Sequence, residues 1–297
     1  MIDKRTLSAL LRLTSAMVIF GTIGVFVRHI PLPSSVIAFF RGLIGTAFLL
    51  LVMRVTKKPL LIDVIGRNLV KLCISGAAIG LNWILLFEAY RYTSVATATL
   101  CYYLAPIFIM LVSPIVLSER LTRRKGLCIL VALGGMVFVS GVASGGLPGA
   151  QEIRGVLYGV GAAALYASVV LINKRMSGIE ALSRTVVQLG VSALVLAPYI
   201  MMTENVLVLL PQLSAVSLAL LFVLAIVHTG MAYALYFGSI RDLSAQTAAL
   251  FSYIDPVVAI FLSAFLLGEA MTVSSTIGAV MILGSAVVSE LPGKSDS

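Results

Sequence analysis

The 297 residues are 60% hydrophobic and 11% charged, with a mean hydropathy of +1.09. A soluble domain carries about 25% charged residues, so the composition excludes a soluble domain and argues against a disordered one; lipid is the main solvent of this chain. The net charge of +9 does not point to nucleic acid, because the basic residues lie in short loops between apolar runs, where membrane topology requires them.

A helix that crosses a bilayer needs about 20 mostly apolar residues. Ten such segments follow one another, at 8–29, 34–54, 69–90, 94–118, 124–143, 155–173, 182–203, 215–238, 245–267 and 273–290. The first is too long for a signal-peptide core and lacks a small-residue cleavage site, so no cleavable signal is expected. The second carries Arg41 at its middle, with no acid within a turn. Such a residue is costly in lipid; it either attracts a substrate carboxylate, or caps a carbonyl or pairs with a distant acid. The third holds Asn82 and the only tryptophan, Trp83. An aromatic plate at mid-segment suits aromatic or cationic ligands, or is core packing. Gly76 with Gly80, and Gly155 with Gly159 in the sixth segment, have the four-residue spacing that lets helices approach closely.

The fourth segment carries Tyr103 three residues before Pro106, and the ninth carries Tyr253 three residues before Pro256. A proline removes one helix hydrogen bond and exposes a carbonyl upstream. In a membrane that carbonyl needs another partner or a wet cavity. Pro106 and Pro256 therefore mark kinks that either gate or shape the helix; Asp255, beside the second, is grouped with them as a gating residue that either binds a proton or a substrate amine or braces the broken helix. His228 in the eighth segment either supports proton coupling or is a packed hydrogen-bonding residue. Glu119 and Glu269 close the fourth and ninth segments; they either latch alternating states through arginine partners or solvate helix ends. Cys73, Cys101 and Cys128 lie in apolar runs with no disulfide or metal spacing. Phosphate-loop, metalloprotease and hydrolase motifs do not occur, and no cofactor is expected.

One set of alternating loops holds Lys4, Arg5, Arg12, Arg54, Lys57, Lys58, Arg67, Lys71, Arg120, Arg123, Arg124, Lys125, Lys174, Arg175, Arg184, Arg241 and Lys294, which is 17 basic residues. The other set holds Arg28, Arg91 and Arg154, which is 3. This bias predicts that both termini are cytoplasmic. Sliding the sequence by 150 positions superimposes Phe87 on Phe237, Arg91 on Arg241, Ser94 on Ser244, Tyr103 on Tyr253, Pro106 on Pro256, Glu119 on Glu269 and Gly134 on Gly284. At an offset of 146, Phe20 falls on Tyr166 and Arg28 on Lys174. The expected architecture is an all-α integral membrane protein of two inverted five-helix repeats, 8–143 and 155–290, with a linker at 144–154 and a cytoplasmic tail at 291–297. Inverted repeats are a recurring design of secondary transporters.

Pro106, Glu119, Gly126 and Gly134, repeated as Pro256, Glu269 and Gly284, resemble the unit of the EamA family of the drug/metabolite transporter superfamily. Within it, Tyr102-Tyr103-Leu104-Ala105-Pro106 and Tyr166 with Asn173-Lys174 look most like aromatic amino acid exporters of the YddG type. This chain has Phe20 and Tyr166 where that family often has Trp, and Ala105 where related exporters can carry it. The resemblance implies a central cavity between helices 1, 3, 4, 6, 8 and 9, with helices 5 and 10 outside it. Phe20, Trp83, Tyr103, Tyr166 and Tyr253 are expected to line an apolar pocket, with Asn82 and His228 as polar contacts. The expected function is export of aromatic or other hydrophobic amino acids, or related small metabolites, across the bacterial inner membrane. The alternatives are an exporter of drugs or quaternary cations such as paraquat, and a non-transport membrane scaffold. A membrane enzyme would need a cluster of His or acids at one face, and the two histidines, His29 and His228, are far apart in sequence.

Overall fold

Every regular element is a helix among the residues that the computed structural model describes, which are 4–60, 62–117, 122–139, 149–239, 243, 251–269 and 271–290. In chain order they are α1 (Lys4–Gly21), α2 (Ile23–Arg28), α3 (Ser34–Val55), α4 (Ile62–Arg67), α5 (Leu69–Tyr92), α6 (Val95–Tyr102), α7 (Ala105–Leu117), α8 (Arg123–Val139), α9 (Ala150–Lys174), α10 (Ala181–Thr203), α11 (Val206–Leu209), α12 (Ala215–Ala225), α13 (Ala232–Ser239), α14 (Ile254–Leu266) and α15 (Val273–Glu290). A π-helical turn, Ile226–Met231, joins α12 to α13.

Among the described residues, seven stretches are long and apolar enough to cross a membrane: Arg5–Arg28, Ser34–Val55, Leu69–Tyr92, Val95–Leu117, Ala150–Lys174, Ala181–Thr203 and Ala215–Tyr236. Shorter apolar helices, Gly126–Val139, Ile254–Leu266 and Val273–Val288, fall inside the fifth, ninth and tenth expected segments. Most observed ends lie close to the expected ones. The clearest difference is α9, which starts at Ala150 rather than 155. Gln151, Glu152 and Arg154 are too polar to read as membrane, but they extend the helix past its apolar part. Glu119, residues 144–148 of the 144–154 linker, the start of the ninth segment and the 291–297 tail lie outside the described residues.

Several of these helices are interrupted in mid-course. The first breaks at Thr22 between α1 and α2, and the fourth at Tyr103 and Leu104 between α6 and α7. The eighth swells into the π turn. These breaks bring polar backbone into the middle of an apolar bundle, and each must be satisfied there.

Close packing is carried by small residues. A Cβ on Gly76 would sit 2.8 Å from the Gln188 carbonyl oxygen of α10, and one on Gly80 would sit 2.7 Å from Ser192 Oγ. A Cβ on Gly155 would meet the Thr93 side chain at 2.8 Å, and one on Gly159 would meet Cys101 Cβ at 2.7 Å. Both expected glycine pairs are thus helix contacts. α8 and α15 pack against each other in the same way, with a Cβ on Gly278 falling 2.5 Å from the Gly135 carbonyl oxygen. Leu32, Ile37, Leu49, Phe87 and Leu196 are fully buried, whereas Ile115, Met202, Leu207 and Phe265 stand outward, each more than 70% exposed. Large apolar side chains facing out over an apolar bundle are the pattern lipid solvation produces.

Candidate functional site

The helix interruptions meet at one place. At the first break, Thr22 Oγ1 donates to the Ile19 carbonyl at 2.7 Å and lies 2.7 Å from His228 Nε2. The other ring nitrogen, Nδ1, lies 3.3 Å from the Val223 carbonyl, so His228 bridges Thr22 and α12. His228 is 2% exposed, and its ring meets Phe26 edge-on at 4.6 Å. It thus ties the first helix to the π turn. Its neighbour Thr229 spans that turn, donating to the Leu224 carbonyl at 3.3 Å. A π turn loosens the regular ladder, and these side chains occupy carbonyls that it leaves weakly bonded. The turn also needs Gly230, where a Cβ would fall 2.2 Å from the Phe48 ring.

The kink at Pro256 is satisfied from the first half of the chain. Pro256 has no N–H for the carbonyl of Ser252, four residues upstream. The Tyr103 hydroxyl lies 3.1 Å from that carbonyl and 2.9 Å from Asp255 Oδ2. Tyr103 therefore braces the kink of the other half, and Asp255 is held by the same hydroxyl. The sequence-related residues Tyr103 and Tyr253 face each other with ring centroids 6.1 Å apart. Tyr102 continues the aromatic wall to Tyr166 at 5.5 Å, and Phe20 meets Tyr233 at 5.4 Å. Tyr166 packs against Tyr102 and is nonetheless 42% exposed.

Arg41 enters this cluster from α3 and is 3% exposed. Its Nε donates to Thr229 Oγ1 at 2.7 Å. Its guanidinium carbon lies 4.3 Å from the Trp83 ring centroid and 5.8 Å from that of Phe87. The resemblance implied a centre built without the second helix, but Arg41 extends from that helix into it. The α3 backbone itself packs on the π turn, where a Cβ on Gly45 would sit 2.7 Å from Thr229 Cγ2.

Of the expected site residues, Phe20, Trp83, Tyr103, Tyr166, His228, Tyr253 and Asp255 belong to this network of contacts. Asn82 points elsewhere: its amide donates to the Ala162 carbonyl of α9 at 2.5 Å, a brace between two helices. Pro106 starts α7 just beyond the Tyr103 break, and Pro256 lies in the first turn of α14. Asn173 accepts from Gln188 Nε2 at 2.7 Å, and the same amide lies 2.6 Å from Ser75 Oγ. Sequence reasoning missed Thr22, Thr229, Tyr102 and Tyr233 as members. Threonines are routine in membrane helices, and one tyrosine among many has no distinguishing period.

A second feature lies at one end of the bundle. Arg28, at the end of α2, contacts Glu269 Oε1 at 2.7 Å and donates to the Thr93 carbonyl at 2.7 Å. Glu269 Oε2 accepts from the Val95 backbone at 2.8 Å and from Ser263 Oγ at 2.6 Å. An acid with its arginine thus joins α2, the start of α6 and the end of α14. On another side, an apolar groove of about 510 Å³ runs between α8 and α15, with Arg124 and Leu127 in its lining; it shares no residue with the aromatic cluster.

The EamA-like transporter family model matches this chain twice, over residues 7–141 and 153–290. An uncharacterized transporter, YxxF, of Bacillus subtilis (strain 168) is 29% identical over 281 residues, covering 94% of this chain and 88% of the relative. An uncharacterized transporter of Archaeoglobus fulgidus is 26% identical over 273 residues, covering 91% and 92%. A solved structure titled only as the crystal structure of a protein superimposes with a TM-score of 0.65 at 21% identity, covering 95% of this chain and 96% of its own, a likeness of fold alone. The double match spans nearly the whole chain, and the chain belongs to the EamA-like transporter family.

Proposed function

We propose that this membrane transporter exports aromatic and other hydrophobic amino acids, or related small metabolites, across the bacterial inner membrane by alternating access. The reading takes ten crossings, both termini in the cytoplasm, and two inverted halves, 8–143 and 155–290, joined by 144–154. The observation that carries it is the aromatic cluster at the helix breaks. Phe20, Trp83, Tyr102, Tyr103, Tyr166, Tyr233 and Tyr253 bring ring faces from both halves together. A flat apolar substrate finds stacking partners on such a surface. Pro106 and Pro256 are the bends about which the halves would exchange, with Asp255 as the carboxylate beside the second.

Flux in proteoliposomes tests this. Purified protein should accumulate or release phenylalanine, tyrosine or tryptophan, and runs with and without a pH gradient should separate proton coupling from passive exchange. Failure to move any aromatic amino acid sinks the substrate class. Export of quaternary cations is the second reading, favoured by Asp255 among aromatic faces. Arg41 in the same cluster opposes a dication such as paraquat by charge. Competition between tyrosine and a dicationic dye decides between the two.

A further inference from the structure

The contacts of Arg41 account for one side of its guanidinium only. Nε is taken by Thr229, and the ring faces of Trp83 and Phe87 lie beside the guanidinium plane. Among the described residues, neither terminal amino group has a hydrogen-bond partner. Among the described residues, the unpartnered side-chain atoms sealed from open space are Ser34 Oγ, Thr99 Oγ1, Arg184 Nε and Ser192 Oγ. The Arg41 amino groups are not in that group, so the little exposure this residue keeps includes its donor tips. Among the described residues, no carboxylate lies within ion-pair distance of Arg41; Asp255 is within electrostatic reach but is held by Tyr103.

A buried arginine normally carries a counter-ion or a full set of acceptors. Here stacking and one hydrogen bond fix its plane, while the bidentate fork that matches a carboxylate stays open. We infer that Arg41 is the carboxylate anchor of the central site, and that the site selects amphoteric molecules: carboxylate on the Arg41 fork, aromatic ring against the tyrosine wall, ammonium toward Asp255. The inference rests on the transporter reading and specifies which end of the substrate each pole holds. It also explains why α3, packed on α5, α10, α12 and the π turn, sends its one charged mid-segment residue inward.

The test uses the full chain in lipid nanodiscs and three ligands that share a ring: phenylalanine, phenethylamine, which lacks the carboxylate, and 3-phenylpropanoate, which lacks the ammonium. Wild-type protein should bind phenylalanine at least about tenfold more tightly than phenethylamine, as expected for charge-assisted hydrogen bonds. In Arg41→Gln that ratio should fall to about one, with phenethylamine affinity little changed. Arg41→Lys should restore part of the ratio. A purely structural arginine would weaken all three ligands alike and leave the ratio intact, which overturns the inference. Equal wild-type affinity for phenylalanine and phenethylamine overturns it too, and needs no variant to fold. If phenylalanine is transported while the ratio is one, the transporter reading stands and the anchor falls. If none of the three ligands binds, both fall.

Discussion

At the scale of single residues, the polar groups inside this bundle are organised by defects in helices. Thr229 shows how. Its hydroxyl bonds a carbonyl of the π turn and accepts from Arg41 Nε. Thr229→Val keeps the shape, removes both bonds and leaves a buried charged donor without its acceptor. The expected loss is about 1–3 kcal/mol, read as a lower midpoint of thermal unfolding in detergent; an unchanged midpoint would show that water replaces the hydroxyl. Asn82 was legible as a buried polar residue, but sequence could not say what it bonds. Its neighbour Trp83 faces Arg41 while Asn82 faces α9, because adjacent helical residues differ in direction by about 100°. Arg41 was legible as an anomaly, and its purpose was not, since Thr229 lies 188 positions away.

At the scale of elements, two contacts carry distinct predictions. Glu269 holds the backbone N–H of Val95, and Ser263 Oγ lies 3.3 Å from that of Ala96, at the start of α6. Glu269→Gln removes the charge that pairs with Arg28 and favours the helix N-terminus. Amide hydrogen exchange at Val95 and Ala96 should speed up by roughly tenfold or more, with the core of α5 unaffected. Equal exchange in the two proteins would make the Arg28–Glu269 pair a bystander. The second contact is the α8–α15 crossing. Gly278→Ala drives a Cβ into the Gly135 carbonyl and should cost about 1–3 kcal/mol. Gly284→Ala, in the same helix, meets nothing within 4 Å and should gain about 0.5–1 kcal/mol from helix propensity. Thermal unfolding of the pair separates packing from propensity; a Gly278 variant as stable as the Gly284 variant would show that the crossing is loose.

At the scale of the whole molecule, the prediction concerns orientation. The 17-to-3 distribution of basic residues predicts that both termini are cytoplasmic. Fusions of a periplasm-active phosphatase and a cytoplasm-active fluorescent protein at the Arg28–Pro33 loop and at the C-terminus check this. Phosphatase activity should appear only at the loop, and the reverse pattern would invert the topology. The sequence by itself determined the helical membrane character, the position of nearly every segment and the doubled pattern, because hydropathy and self-similarity are local or one-dimensional properties. It also marked Pro106 and Pro256, where a proline removes a helix hydrogen bond, and the tyrosine three residues before each. Only the tertiary structure decided the pairings: Tyr103 on the carbonyl opposite Pro256, Thr22 on His228, Arg28 on Glu269 and Arg41 on Trp83 and Thr229. Each joins residues far apart in the chain through a hydrogen bond or a ring contact a few ångströms long. Such contacts depend on which faces of which helices meet, and composition and periodicity hold no record of that.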